Sequence, residues 1–121
     1  MGLTILILED EVFIASELRE ALWSVGATVL YARTLARAMR LVEETEFGGA
    51  ILDVTLGYDS TCEPVAVALE RSGTPFVLHS GDLLRQGEMI ETIDAPLVPK
   101  PAAARDVVAE LGRTISAAAV F

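Results

Sequence analysis

The chain has one lysine, one histidine, one cysteine and one tryptophan in 121 residues, and these scarcities close whole classes of function. A lone Cys62 cannot form an internal disulfide, which makes a reducing cytoplasm the expected compartment. A lone His79, with no second histidine or cysteine nearby, is a poor transition-metal site and is expected to pack at the end of a strand. Nine basic residues are scattered against eighteen acids, a formal net charge of −9. Binding nucleic acid normally takes a cluster of Lys and Arg, so neither DNA nor RNA is an expected partner. No apolar run approaches the roughly 20 residues needed to cross a bilayer, and no basic region precedes the first one, so neither a membrane span nor a secretory leader is expected. No strand candidate runs into G-x-G-x-x-G or G-x-x-x-x-G-K-[ST], which argues against a nucleotide site.

What is present is hydrophobic: 52% of residues are apolar and 22% charged, a balance that excludes disorder and fits a compact α/β chain. The length suits one domain over residues 1–121, with no room for an appended output domain. Strand-like and helix-like stretches alternate. The strand candidates are 3–8, 27–31, 49–53, 75–79 and 96–98, and the first is continuously apolar, as when helices cover both sheet faces. Helix candidates are 11–25, 34–46, 61–72, 82–93 and 102–117. Gly26 and Gly73 stop two of them, and Thr34 can cap the second. Ser60-Thr61-Cys62-Glu63 has capping-box spacing, which puts Cys62 at a helix start as a solvated or semi-buried thiol. Trp23 is expected on the inner or rim face of the first helix. Gly87 interrupts 82–93, at a cost of about 1 kcal/mol relative to Ala, so that helix should be short or irregular.

This alternation predicts a five-stranded parallel sheet wound by right-handed crossovers, with helices on both faces. Ligands in such folds bind beyond the carboxyl ends of the strands. The polar residues fall there: Glu9 and Asp10 after the first run, Asp53 after the third, Ser80 and Lys100 after the fourth and fifth. The flavodoxin-like order 2-1-3-4-5 would bring Glu9, Asp10 and Asp53 together. Three close carboxylates repel, and a divalent cation removes the problem. Mg²⁺ takes oxygen ligands of this kind, and an aspartate beside it can act as a phosphoryl acceptor. Lys100 supplies a point charge for phosphate and Ser80 a hydroxyl. Each residue also has a plainer reading. Acids favour helix starts, and Ser80 could simply cap a helix before Asp82.

The set Leu8-Glu9-Asp10-Glu11, Leu52-Asp53-Val54, His79-Ser80-Gly81 and Pro99-Lys100-Pro101 resembles the receiver (CheY-like) domain of two-component response regulators, single-domain type, over about residues 3 to 117. The resemblance implies that Asp53 accepts a phosphoryl group from a histidine kinase or histidine phosphotransfer protein. It implies Mg²⁺ held by Asp10, Asp53 and the Thr55 backbone carbonyl, with Glu9 often acting through water. It gives Ser80 and Lys100 the phosphoryl contacts and makes the Lys100-Pro101 bond cis. Such a protein catalyses only its own phosphorylation and dephosphorylation. It signals through altered contacts with a downstream protein that the sequence does not name, and homodimerisation stays open.

Two positions depart from the pattern. Leu97 stands where the family commonly has Tyr or Phe, and Pro99 precedes the lysine. Driving a switch from 1:99 to 99:1 takes about 5.5 kcal/mol of differential interaction, and a Lys100 already touching Asp53 before phosphorylation would supply less of it. Partial switching is therefore expected. The alternative is a pseudo-receiver, a phosphorylation-independent protein-binding or dimerisation module. An Mg²⁺-dependent hydrolase with an aspartyl nucleophile ranks last, because Thr55 stands where such enzymes usually place a second Asp.

Overall fold

Four consecutive apolar residues, Ile5 to Leu8, that alternate between two helix layers build the centre of the protein. In the computed structural model, which describes residues 2–57, 60–81 and 92–119, strand β1 spans Thr4–Leu8. Its side chains point to opposite faces in turn. Ile5 and Ile7 pack with Leu18, Leu22, Val107 and Leu111, whereas Leu6 and Leu8 pack with Leu41, Val65 and Leu69. A strand buried on both faces reads as a continuous apolar run, and this one does.

The other sheet strands are β2 (Thr28–Ala32), β3 (Gly49–Asp53), β6 (Phe76–Ser80) and β7 (Leu97–Pro99). They lie in the order β2-β1-β3-β6-β7, with every pair parallel. Four helices are described: α1 (Val12–Ser24), α2 (Leu35–Glu44), α3 (Glu63–Arg71) and α4 (Ala104–Ala118). Buried residues of α1 and α4 cover one face, and those of α2 and α3 the other. The predicted architecture is therefore the observed one. The helix predicted over 82–93 falls largely on residues outside the described set.

Helix ends follow local chemistry. Thr34 caps α2 as predicted, its Oγ1 accepting from the Arg37 N–H at 3.2 Å. Gly26 and Gly73 take φ of 83° and 72° just past α1 and α3, a conformation that L side chains rarely adopt. The third helix starts differently from its prediction. Ser60–Thr61 form a two-residue strand, β5, paired antiparallel with β4 (Thr55–Leu56). The helix begins at Glu63, and Cys62 makes no side-chain cap. Thr61 Oγ1 instead accepts from the Glu63 N–H at 3.4 Å.

Two further expectations are corrected. Cys62 is fully buried among apolar residues, and burial pushes its thiol up to about 12. It is an inert core residue, not a solvated thiol. Trp23 lies on the outer face of α1, 55% exposed, under the Arg19 guanidinium at 5.1 Å.

Candidate functional site

β1 and β3 are adjacent in the sheet, with Leu8 opposite Leu52. Each strand runs straight into an acid, so Glu9, Asp10 and Asp53 emerge at one edge. Carboxylate oxygens from the three lie within 4.8 Å of one another. Glu9 and Asp53 are buried, and Asp10 is partly exposed. Nothing in apolar packing calls for buried acids here.

Among the described residues, one cation answers them. Lys100 follows β7, two strands away, and its Nζ lies 3.2 Å from Glu9 Oε2 and 3.4 Å from Asp53 Oδ2. The Lys100 N–H donates to the Ser80 carbonyl at 2.8 Å, which fixes where the lysine leaves the sheet. The Lys100-Pro101 bond is cis, as the resemblance implied. Ser80 ends β6 fully buried, one residue past His79, the register partner of Asp53. Thr55 sits two residues beyond Asp53, on β4. The Cys62 N–H donates to the Val54 carbonyl, which places Thr55 at a non-hydrogen-bonded position of the hairpin, its carbonyl directed away from β5.

The charges do not balance. Burial, and then the Glu9 charge, push the Asp53 carboxyl up to about 8, against the pull of Lys100. Burial likewise holds Glu9 above the usual glutamate range, opposed by Lys100. For Lys100, burial disfavours the ammonium, yet Asp53 and Glu9 together outweigh it and hold the pKa above the usual lysine value. Three acids around one lysine leave surplus negative charge, and their donors are all oxygen. That chemistry fits a hard divalent cation. Of the four predicted ligand positions, Glu9, Asp10 and Asp53 form the cluster, and Thr55 follows Asp53 by two residues on β4.

Some of the site was not foreseen. The Tyr31 hydroxyl donates to the Glu9 carbonyl at 2.7 Å, and the Glu11 N–H donates to Glu9 Oε1 at 3.1 Å, so Glu9 is held at both ends. The Gly57 N–H donates to Asp10 Oδ2 at 3.3 Å, tying the loop after β4 to the cluster. A tyrosine near the end of a strand next to β1 was the one available signal. His79 packs at the end of β6, as predicted, with its pKa pushed down to about 4 by burial and then by Lys100.

No family model matches the chain, and no curated protein matches it. Solved structures do. A CheY-like response regulator receiver domain protein from Methanospirillum hungatei JF-1 superposes with a TM-score of 0.85 at 21% identity, covering 98% of this chain and 97% of that one. A response regulator receiver protein from Sinorhizobium medicae WSM419 gives 0.85 at 18% identity, covering 97% of each chain. The signal receiver domain of a signal transduction histidine kinase from Syntrophus aciditrophicus gives 0.85 at 20% identity, covering 99% of this chain and 95% of that one. The chain has the fold of CheY-like response regulator receiver domains.

Proposed function

We propose that the protein is a phosphoacceptor switch: Asp53 takes a phosphoryl group from a histidine kinase or histidine phosphotransfer protein, and the modified chain signals through altered protein contacts. The observation that carries this reading is the convergence of Glu9, Asp10, Asp53 and Lys100 at the carboxyl edge of the sheet. Glu9, Asp10, Asp53 and the Thr55 carbonyl would hold Mg²⁺. A bound Mg²⁺ offsets the charge of the carboxylates and of the incoming phosphoryl oxygens.

The chain's own residues do the rest. With a pKa near 8, Asp53 is largely protonated at neutral pH when no cation is bound, and a protonated carboxyl is a poor nucleophile. Ionised, its Oδ attacks phosphorus while the bond from phosphorus to the donor's nitrogen or oxygen breaks, and the donor leaves with that electron pair. Lys100 faces the phosphoryl oxygens as a point charge, and Ser80 donates its hydroxyl proton to one of them. Glu9, fixed by Tyr31 and the Glu11 N–H, positions Lys100.

The second reading, a pseudo-receiver, draws on Leu97. This half-buried residue packs against the α2–α3 core cluster where the resemblance leads one to expect an aromatic. The two readings part in one experiment. Wild type and Asp53→Asn are incubated with phosphoramidate or acetyl phosphate, in Mg²⁺ or EDTA, and weighed intact. The phosphoacceptor reading expects one added phosphoryl group in wild type with Mg²⁺ only. No addition with any donor contradicts it and favours the pseudo-receiver.

A further inference from the structure

The two acids that follow β1 share one peptide unit, and a side chain from the neighbouring strand holds it. Tyr31 stands opposite Ile7 on β2, the outer strand of the sheet. Its ring packs with the cluster on the α1 and α4 side, and its hydroxyl donates to the Glu9 carbonyl at 2.7 Å. The Glu9 N–H donates to the Ala32 carbonyl at 3.1 Å, one step beyond the last β1–β2 register pair. A continuing parallel ladder would next present a backbone N–H to the Glu9 carbonyl. β2 ends at Ala32, and the Tyr31 hydroxyl is the donor there.

The consequence reaches past Glu9. A peptide unit is planar, so a donor fixed on the Glu9 carbonyl also fixes the Asp10 N–H and the direction in which Asp10 leaves the strand. The carboxylate ends are held as well. The Glu11 N–H and Lys100 Nζ reach Glu9 Oε1 at 3.1 and 3.3 Å, and the Gly57 N–H reaches Asp10 Oδ2 at 3.3 Å. Of these tethers the phenol alone is neither backbone nor charged. Its oxygen can be removed with every charge in place.

Such tethering bears unequally on different cations. Mg²⁺ demands near-ideal octahedral geometry, whereas Ca²⁺ accepts flexible arrangements at longer distances. Two ligands locked in one orientation suit the first ion, and ligands free to turn suit the second. We propose that Tyr31 is a positioning residue that fixes the Glu9–Asp10 peptide and thereby makes the acidic cluster selective for Mg²⁺ over Ca²⁺. The proposal rests on the reading of Glu9, Asp10 and Asp53 as a divalent-cation site, not on phosphoryl transfer.

The test is calorimetric titration of Mg²⁺ and Ca²⁺ into the full chain, with amide NMR locating each ion. Wild type should bind Mg²⁺ the more tightly, and the reverse order overturns the proposal. Groups that orient metal ligands are worth about 10–100-fold in affinity. Tyr31→Phe, which keeps the ring, should therefore weaken Mg²⁺ about tenfold and Ca²⁺ by less than about threefold. In EDTA the Glu9 carbonyl carbon resonance should move upfield in this variant, as the hydrogen bond is lost. Val29→Ala, two residues earlier on the same face of β2, loosens packing without removing a donor and should leave the ratio of the two affinities unchanged. Unchanged Mg²⁺ affinity in Tyr31→Phe, an equal loss for the two ions, or a ratio that moves as far in Val29→Ala overturns the positioning role. Wild type that binds neither ion at the Glu9 and Asp10 amides overturns the proposal together with the divalent-cation reading. The predicted change of ratio in a chain that takes no phosphate supports the proposal and contradicts the phosphoacceptor reading alone.

Discussion

Asp53 and His79 face each other in register, and burial pushes their titrations in opposite directions. The Asp53 pKa rises from 3.8 to about 8, so its contribution to stability is present at low pH and is lost as pH rises toward 8. The His79 pKa falls from 6.5 to about 4, so its contribution is present above 6.5 and is lost as pH falls toward 4. Between about pH 4 and 6.5 the two offset one another. From 6.5 to 8 the carboxylate slope stands without that opposition. In EDTA, thermal melts should therefore show the melting temperature falling from pH 6.5 to 8, with most of that fall gone in Asp53→Asn. Equal slopes in the two proteins would contradict this account.

Lys100 gives a second test at the same scale. Above pH 8, where Asp53 is ionised, Lys100→Met leaves buried carboxylate charge without its cation, and breaking such a pair costs about 3–5 kcal/mol. Urea denaturation should record that loss, and adding Glu9→Gln in the same chain should recover part of it. Strictly additive losses would mean that the pair does not interact. The acids and the lysine were legible in the sequence because each directly follows an apolar run. Tyr31 was not, since its value to the site comes from one hydroxyl reaching Glu9 across the sheet.

At the scale of elements, helix α4 meets β3 closely enough for two glycines to behave in opposite ways. A Cβ on Gly49 would stand 3.0 Å from Ile115 Cδ1 and 3.2 Å from Leu111 Cδ1. Gly49→Val should destabilise by about 1–3 kcal/mol through overpacking. Gly112 lies inside α4 with nothing within 4 Å of its would-be Cβ, so Gly112→Ala should stabilise by about 0.5–1 kcal/mol. Denaturation midpoints of both variants check the pair, and a loss in Gly112→Ala would refute the open-space argument.

Legibility at this scale followed periodicity. Strand β1 and helix α1 carry long patterns and appeared near their predicted places. The β4–β5 hairpin has two residues in each strand, too few to show a period of two. Ser60-Thr61-Cys62-Glu63 also imitates a helix cap, and that imitation hid the burial of Cys62. Trp23 misled in another way, because a large aromatic near the end of an amphipathic helix suggests core, whereas here it covers the Arg19 side chain at the surface.

For the whole molecule, the sheet order brings the ends of β1, β3, β6 and β7 to one edge. The alternation of strands and helices made that topology readable, since right-handed crossovers leave few ways to wind a parallel sheet. The metal reading also has a consequence for global stability. A ligand that binds only the folded state stabilises it by about 2.7 kcal/mol at a hundredfold excess over its dissociation constant. Mg²⁺ should therefore raise the melting temperature of wild type in a concentration-dependent manner, more at pH 8 than at pH 6.5, and do so far less in Asp53→Asn. An Mg²⁺ effect of equal size in both proteins would place the cation elsewhere.

The most direct test of the central claim is the location of the phosphoryl group. Wild-type protein treated with phosphoramidate and Mg²⁺, reduced with borohydride and sequenced by tandem mass spectrometry, should carry the reduction product at position 53 and nowhere else. A modification at His79 or another residue, or none at all, would contradict the assignment of Asp53 as the phosphoacceptor.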